Sequence, residues 1–298
     1  EQARGHVSLL AKRFVLSVDK GHVTAPEGGQ LDIASSAFII PDVTIRDGTP
    51  VVVRLASKSS VTAALSILNR PPLSVMDKAN LPVDIATGQA DLQATIAFSM
   101  VPKGEKAQLE YTAAGQLNGV KTERLVPSRK LEAAALRVVA SNREVRISGQ
   151  GTLDGVPFDV AWAQTLGPDA TGSSRLQGQI ELSNSALSAF GVSLPPGSVS
   201  GQGTANIQVE LPKGEPPAFD LSSDLRGVTL NAPPLSWTKL AQTPGNLRVS
   251  GTLGPVPRVE KLEVSGPGLS ASGSVALSEA RALDRVKLNR LTVGDWLD

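Results

Sequence analysis

The chain has 298 residues, with 29 basic against 28 acidic side chains and a formal net charge of +1. So even a balance excludes a nucleic-acid binder built on clustered Lys and Arg. There is no cysteine, which excludes a disulfide framework, a thiol nucleophile and a cysteine-based metal site. Aromatic residues are scarce (three Trp, one Tyr, six Phe), so Leu, Val, Ile and Ala must supply nearly all the apolar surface. That composition suits a thin or elongated body. No apolar run approaches the ~20 residues that span a bilayer. There is no signal peptide and no initiator Met, and the chain reads as a segment of a longer polypeptide.

Along the chain, Asp47-Gly48 is the first hairpin signal, because type I′ turns need positive φ at both central residues. Ser60 to Leu68 predicts a short helix, with Ser60 as N-cap and Val61, Ala64, Leu65 and Leu68 on one face. Arg70-Pro71-Pro72 stops it. From 92 to 100 the series Leu92, Ala94, Ile96, Phe98, Met100 alternates with Gln93, Thr95, Ala97 and Ser99, the period of a strand with one greasy face. Asn118-Gly119 is a second hairpin signal. Leu131 to Ala140 is rich in Ala, yet it runs into alternating Val145 and Ile147 and is assigned to strand. Asp154-Gly155 is a third hairpin signal, followed by alternating Phe158, Val160 and Trp162. Ser183 to Phe190 predicts a second short helix, ended by Gly191. In 206–211, Ile207, Val209 and Leu211 alternate with Asn206, Gln208 and Glu210. Trp237 to Ala241 is read as a single helical turn. The sum is an all-β chain of antiparallel strands, one face wet, with a few short helices.

The sequence also repeats itself. Ala64-Leu65-Ser66-Ile67-Leu68 is echoed by Ala186-Leu187-Ser188-Ala189-Phe190, Leu81-Pro82 by Leu194-Pro195, and Gly88 by Gly201. Pro102-Lys103-Gly104-Glu105 recurs as Pro212-Lys213-Gly214-Glu215, and Leu117-x-Gly119-Val120 as Leu225-x-Gly227-Val228. The order is the same in both copies, which predicts a duplicated strand–helix–strand unit with loops of different length. Ser148-Gly149-Gln150-Gly151-Thr152 also recurs as Ser200-Gly201-Gln202-Gly203-Thr204. Repeats of this kind stack on their neighbours and must cover their apolar face with a second sheet, by curling, or with a ligand.

Catalytic chemistry finds little material. The two histidines, His6 and His22, each stand in strand-like sequence and read as surface residues. No spacing suits a zinc site, and there is no Gly-x-Ser-x-Gly elbow. The carboxylate pairs Asp42/Asp47 and Asp84/Asp91 stand at turns and strand exits, where Asp is common for backbone reasons. The basic cluster Lys121, Arg124, Arg129, Lys130 reads as a solvated turn. The chain is therefore expected to be no enzyme, with no cofactor, no metal and no nucleic-acid partner.

Ala37-Phe38-Ile39-Ile40-Pro41-Asp42, the helix 60–68, Pro71-Pro72-Leu73, Leu81-Pro82-Val83 and Gly88-Gln89-Ala90 follow one another in an order that resembles YhdP-like proteins of the AsmA-like superfamily. Leu153-Asp154-Gly155-Val156-Pro157-Phe158, Trp162 and the closing Gly294-Asp295-Trp296-Leu297-Asp298 are similar to the region that follows there. The resemblance implies a periplasmic segment of a Gram-negative envelope protein, tethered to the inner membrane by an N-terminal helix outside this segment. It implies an elongated, curled antiparallel sheet with an open hydrophobic groove, in two repeat units at 1–128 and 129–298. It implies as partners the acyl chains of phospholipid moving between inner and outer membranes, with no catalytic residues. The alternating strands supply the candidate groove lining: Leu92, Ile96, Phe98, Ile207, Val209 and Leu211. The same residues would equally form the closed core of a structural module for outer-membrane assembly. A β-rich carbohydrate-active enzyme or adhesin is the third reading, disfavoured by the shortage of aromatics.

Overall fold

A computed structural model describes the chain except residues 1–2, 72, 103–104, 106, 127, 169, 193, 255–257, 278–282 and 295–298. Among the described residues every pairing with a resolved register is antiparallel, and helix is confined to three short segments and one 3₁₀ turn. The all-β, antiparallel character read from the alternation is the observed fold. Two compact units divide the chain: Glu1–Gly151 with Leu166–Pro168, and Thr152–Thr165 with Asp169–Asp298.

In the first unit, β1 (Ala3–Leu10) pairs β2 (Arg13–Thr24), and β2 pairs both β3 (Gln30–Asp32) and β4 (Ala37–Ile40). β4 pairs β5 (Pro50–Ser60), which runs into α1 (Val61–Leu68) and α2 (Val75–Ala79). β6 (Thr87–Ser99) returns along β5, and β7 (Leu109–Thr122), β8 (Leu131–Ser141) and β9 (Glu144–Leu153) follow. β8 pairs with β7 from Thr122–Leu131 to Thr112–Ser141. That ladder ties β8 to the first unit, so the boundary expected at 128/129 falls inside this unit.

In the second unit, β10 (Val156–Thr165) pairs β11 (Ser174–Ser183), which leads into α3 (Asn184–Ala189) and back along β12 (Val199–Leu211). β12 pairs β13 (Ala218–Ser223) and, at its start, β14 (Val228–Ala232). A 3₁₀ turn at Pro233–Leu235 precedes β15 (Trp237–Lys239). β16 (Asn246–Thr252) pairs β13, and β17 (Arg258–Gly266), β18 (Leu269–Leu277) and β19 (Leu283–Val293) complete a meander.

The duplicated motif is a structural one. β5–α1–β6 and β11–α3–β12 each leave a strand through a serine cap and return antiparallel to it, with Ser60 opposite Gln89 and Ser183 opposite Gln202. Ser60 Oγ accepts the Ala63 N–H and Ser183 Oγ the Ala186 N–H, both at 3.1 Å. These caps satisfy a helix-end donor that would otherwise be orphaned. Gly88 and Gly201 face Gly119-Val120 and Gly227-Val228 across the ladder, and a Cβ on Gly201 would lie 2.2 Å from the Gly227 carbonyl oxygen. The Pro102–Glu105 copy of the repeated turn falls, at Lys103 and Gly104, outside the described residues, as do Pro72 and the closing residues Asp295 to Asp298.

Three local expectations need correction. Asn118-Gly119 is not a hairpin turn: it lies inside β7, where Gly119 at φ +60° forms a bulge that shifts the β6–β7 register between Thr87 and Gln89. Asp47-Gly48 sits in the longer 41–49 connection, where Gly48 and not Asp47 takes positive φ. Trp237 begins a short strand rather than a helical turn, because its backbone pairs with Ala232. The Asp154-Gly155 link does have positive φ at both residues, 51° and 82°.

One end of each unit's sheet is closed by packing. In the first, Val61 and Met76 of the helices meet Ile85, Ala86, Ala90, Val120 and Ala133. In the second, Leu225 and Val228 close over Leu182 and Ala205. Lys239, 1% exposed, holds that closure. Its Nζ donates to the carbonyls of Leu225 (2.6 Å), Val228 (2.8 Å) and Leu240 (3.1 Å), which uses all three ammonium protons. Burial pushes its pKa down, and the Asp224 carboxylate partly offsets this. Lys239→Met removes the charged donor that ties these three carbonyls together, although those of Leu225 and Leu240 keep the Val228 and Thr243 N–H groups, so urea denaturation should show a loss of about 3 kcal/mol. A loss within experimental scatter would mean that water or the chain replaces the ammonium.

Candidate functional site

Side chains alternate between faces along a strand, and an unbroken ladder aligns them across strands. In the first unit this alignment builds an apolar row across six strands. Val7 lies opposite Leu16, Leu16 opposite Phe38, Phe38 opposite Val53, Val53 opposite Ile96, and Ile96 opposite Tyr111. A neighbouring row carries Leu9, Phe14 and Ile40, and on the following strands Val51, Phe98 and Leu109. Val51 is buried, whereas Phe38, Val53, Ile96, Phe98 and Tyr111 are half-buried. At the margins the rows are open: Val7 is 61% exposed and Leu109 48%.

The second unit repeats the arrangement. One row joins Val160, Gly178, Ile207, Leu221, Val249, Leu262, Gly273 and Leu288. Its neighbour joins Trp162, Leu176, Val209, Phe219, Gly251, Val259 and Val275. Glycine at 178 is required by close approach, since a Cβ there would sit 2.1 Å from the Asp159 carbonyl oxygen. The Trp162 indole N–H is satisfied by Ser174 Oγ at 3.0 Å, so this ring presents apolar surface without an orphaned donor.

The six sequence-predicted residues all fall on apolar faces, three on β6 and three on β12, but they differ in surroundings. Leu92 packs against the closed cluster beneath α1. Ile96 and Phe98, one and two alternations beyond Ala94, lie in the rows past that cluster. Val209 is buried at 8% exposure, and Ile207 and Leu211 are half-buried. Sequence reasoning missed their row partners Leu16, Phe38, Val53, Tyr111, Leu176 and Phe219. Alternation marks a face within one strand; only the register tells which residues of other strands share it.

The opposite face is largely polar, apart from the stretch where Val15, buried Ile39 and Val52 align. His22, Asp32, Lys58, Asp91, Gln116 and Arg137 form a cross-strand row, with Lys58 Nζ 3.4 Å from Asp91. Asp91 is thus engaged by Lys58, while Asp84 pairs with Arg124. The Asp42 carboxylate accepts the Thr44 hydroxyl (2.6 Å) and N–H (2.8 Å), and these bonds hold its pKa below the usual range. His6 is exposed on β1, 3.2 Å from Asp19 on the neighbouring strand. Lys121 and Lys130 both reach Glu132, each at 3.2 Å, and their hydrogen bonds lower its pKa. Those carboxylates are therefore committed to turns and cations. Among the described residues no group of three His, Asp or Glu is placed to hold a metal, and no helix is long and apolar enough to cross a membrane.

Compared with protein-family models, curated proteins and solved structures, the chain matches none.

The contrast between closed and open parts of one face is measurable on a single strand. Leu92→Ala, within the packed cluster, should cost about 2–3 kcal/mol in urea denaturation. Ile96→Ala, half-exposed, should cost about 1 kcal/mol. Equal losses would show that the face is packed throughout.

Proposed function

We propose that this chain is a non-catalytic, periplasmic segment of an AsmA-like, YhdP-like protein that shields phospholipid acyl chains on their way between the inner and outer membranes. The observation that carries the reading is the set of apolar rows through Ile96 and Phe98 in one unit and Ile207 and Val209 in the other. Each row crosses several strands, backs onto a largely polar face, and is only partly covered. Contiguous apolar surface of this kind marks a binding site for an apolar partner. Removing acyl chains from water contributes about 0.8 kcal/mol per CH₂, so a chain held along such rows gains without any single critical contact. A phospholipid also suits the two-sided chemistry, because its headgroup stays in water while its tails meet the greasy face. The order of motifs from Phe38 to Ala90 supports the family reading.

The closed clusters beneath α1 and around Leu225 favour a second reading, a structural module for outer-membrane assembly. One experiment separates the two. The protein is expressed in a Gram-negative host, purified, and analysed by native mass spectrometry with lipid extraction. Co-purifying phospholipid is expected, and Ile96→Asp and Val209→Asp should each reduce it several-fold while circular dichroism still reports strand. A folded protein that carries no lipid would leave the structural module as the reading.

A further inference from the structure

The polar face of the last strands of the second unit carries charge in a distinct arrangement. Arg258 and Lys261 of β17, and Arg285 and Lys287 of β19, are exposed on either side of β18. The register sets them in facing columns. Ala276 of β18 pairs with both Arg258 and Arg285, and Ser274 pairs with Lys287. Neighbouring strands lie about 4.8 Å apart, so the columns stand roughly 10 Å apart, with Ser274 of β18 between them. That gap accepts a phosphate group within reach of cations on both sides and of the Ser274 hydroxyl. Among the described residues the acidic groups of this face are Glu263, ion-paired to Lys261 at 3.0 Å, and Glu260 at the bulge in β17. Arg258, Arg285 and Lys287 have no acidic partner among the described residues. The bias extends to the sequence: residues 246–293 carry seven Lys and Arg against four Asp and Glu, within a chain of net charge +1.

We propose that this face is a docking strip for an anionic phospholipid surface, with lipid phosphates seated between the β17 and β19 cations around Ser274 of β18. The occupant follows from charge complementarity and from the two successive cationic positions along the strip, which suit neighbouring phosphates on a membrane surface. The strip is independent of acyl-chain shielding, which uses Val259 and Leu262 on the other face of the same strands. Either function can therefore fail alone.

The test is co-sedimentation of the whole chain with vesicles, either phosphatidylcholine alone or phosphatidylcholine mixed with phosphatidylglycerol. Binding to the anionic vesicles, absence of binding to the neutral ones and release by high salt are expected. Arg285→Gln/Lys287→Gln should weaken partition by roughly fivefold per charge removed. Lys20→Gln/Arg54→Gln, which removes the same charge from exposed strand positions of the first unit, should leave it within about twofold. Arg258→Gln/Lys261→Gln serves as a second variant on the other side of the strip if the first does not fold. Equal binding to both vesicle types, no binding, or equal losses from both units would overturn the proposal. So would displacement by inorganic phosphate at constant ionic strength without vesicle binding, since that describes a free-phosphate site.

Discussion

Everything in this molecule depends on the register of its antiparallel ladders. A strand exposes successive residues on opposite faces, so a slip of one residue would send Ile96 and Phe98 to the polar side and bring Thr95 and Ala97 to the apolar one. The ladder between β5 and β6 runs without a break from Pro50–Ser99 to Ser60–Gln89. The irregularity lies beyond it, at Gly88 and the Gly119 bulge, beside the helices. Twist and closure are thus absorbed at the helix-bearing end, and the apolar rows stay continuous where they are least covered. In the second unit the bulges fall in β17 and the later strands, and the rows through Ile207 and Val209 cross β10 to β13 unbroken.

Closing one end of an apolar face creates a polar problem, because helix ends and turns bring backbone groups out of water. The chain solves it with small, local devices. Ser60 caps α1 and also donates to the Gly28 carbonyl at 2.7 Å, while buried Ser66 bonds Glu27 on the same crossing loop. Asn69 accepts the Met76 and Asp77 N–H groups that open α2. Lys239 gathers three carbonyls in the second unit. Packing and hydrogen bonding together hold those ends shut, and beyond them most of each face is half-buried or exposed, with Val51 and Val209 buried within the rows.

Much of this was legible before any coordinates. Alternation gave the strands, and Ser60 and Ser183 marked both helix starts because a capping hydroxyl three residues before a helical N–H is a local signal. Repetition from Ala64 to Val228 pointed to a duplicated unit, and the serine caps and facing glycines bear it out. Reading failed where the outcome was decided by partners distant in sequence. Asn118-Gly119 has hairpin chemistry, yet β7 continues through it because β8 pairs beyond it. Trp237 is drawn into a strand by Ala232, and nothing in β6 announces that Leu92 meets the cluster under α1. The short helix Val75–Ala79 carried no period long enough to detect.

In the proposed function the rows through Ile96 and Val209 meet acyl chains while the largely polar face meets water. The most direct measurement places a photo-crosslinking amino acid, in Gram-negative cells, at Ile96, Phe98 and Val209 and, as controls, at Gln93, Thr95 and Gln208. The account predicts lipid adducts at the three apolar positions and none at the polar ones. Adducts at neither set, or at both alike, would contradict it.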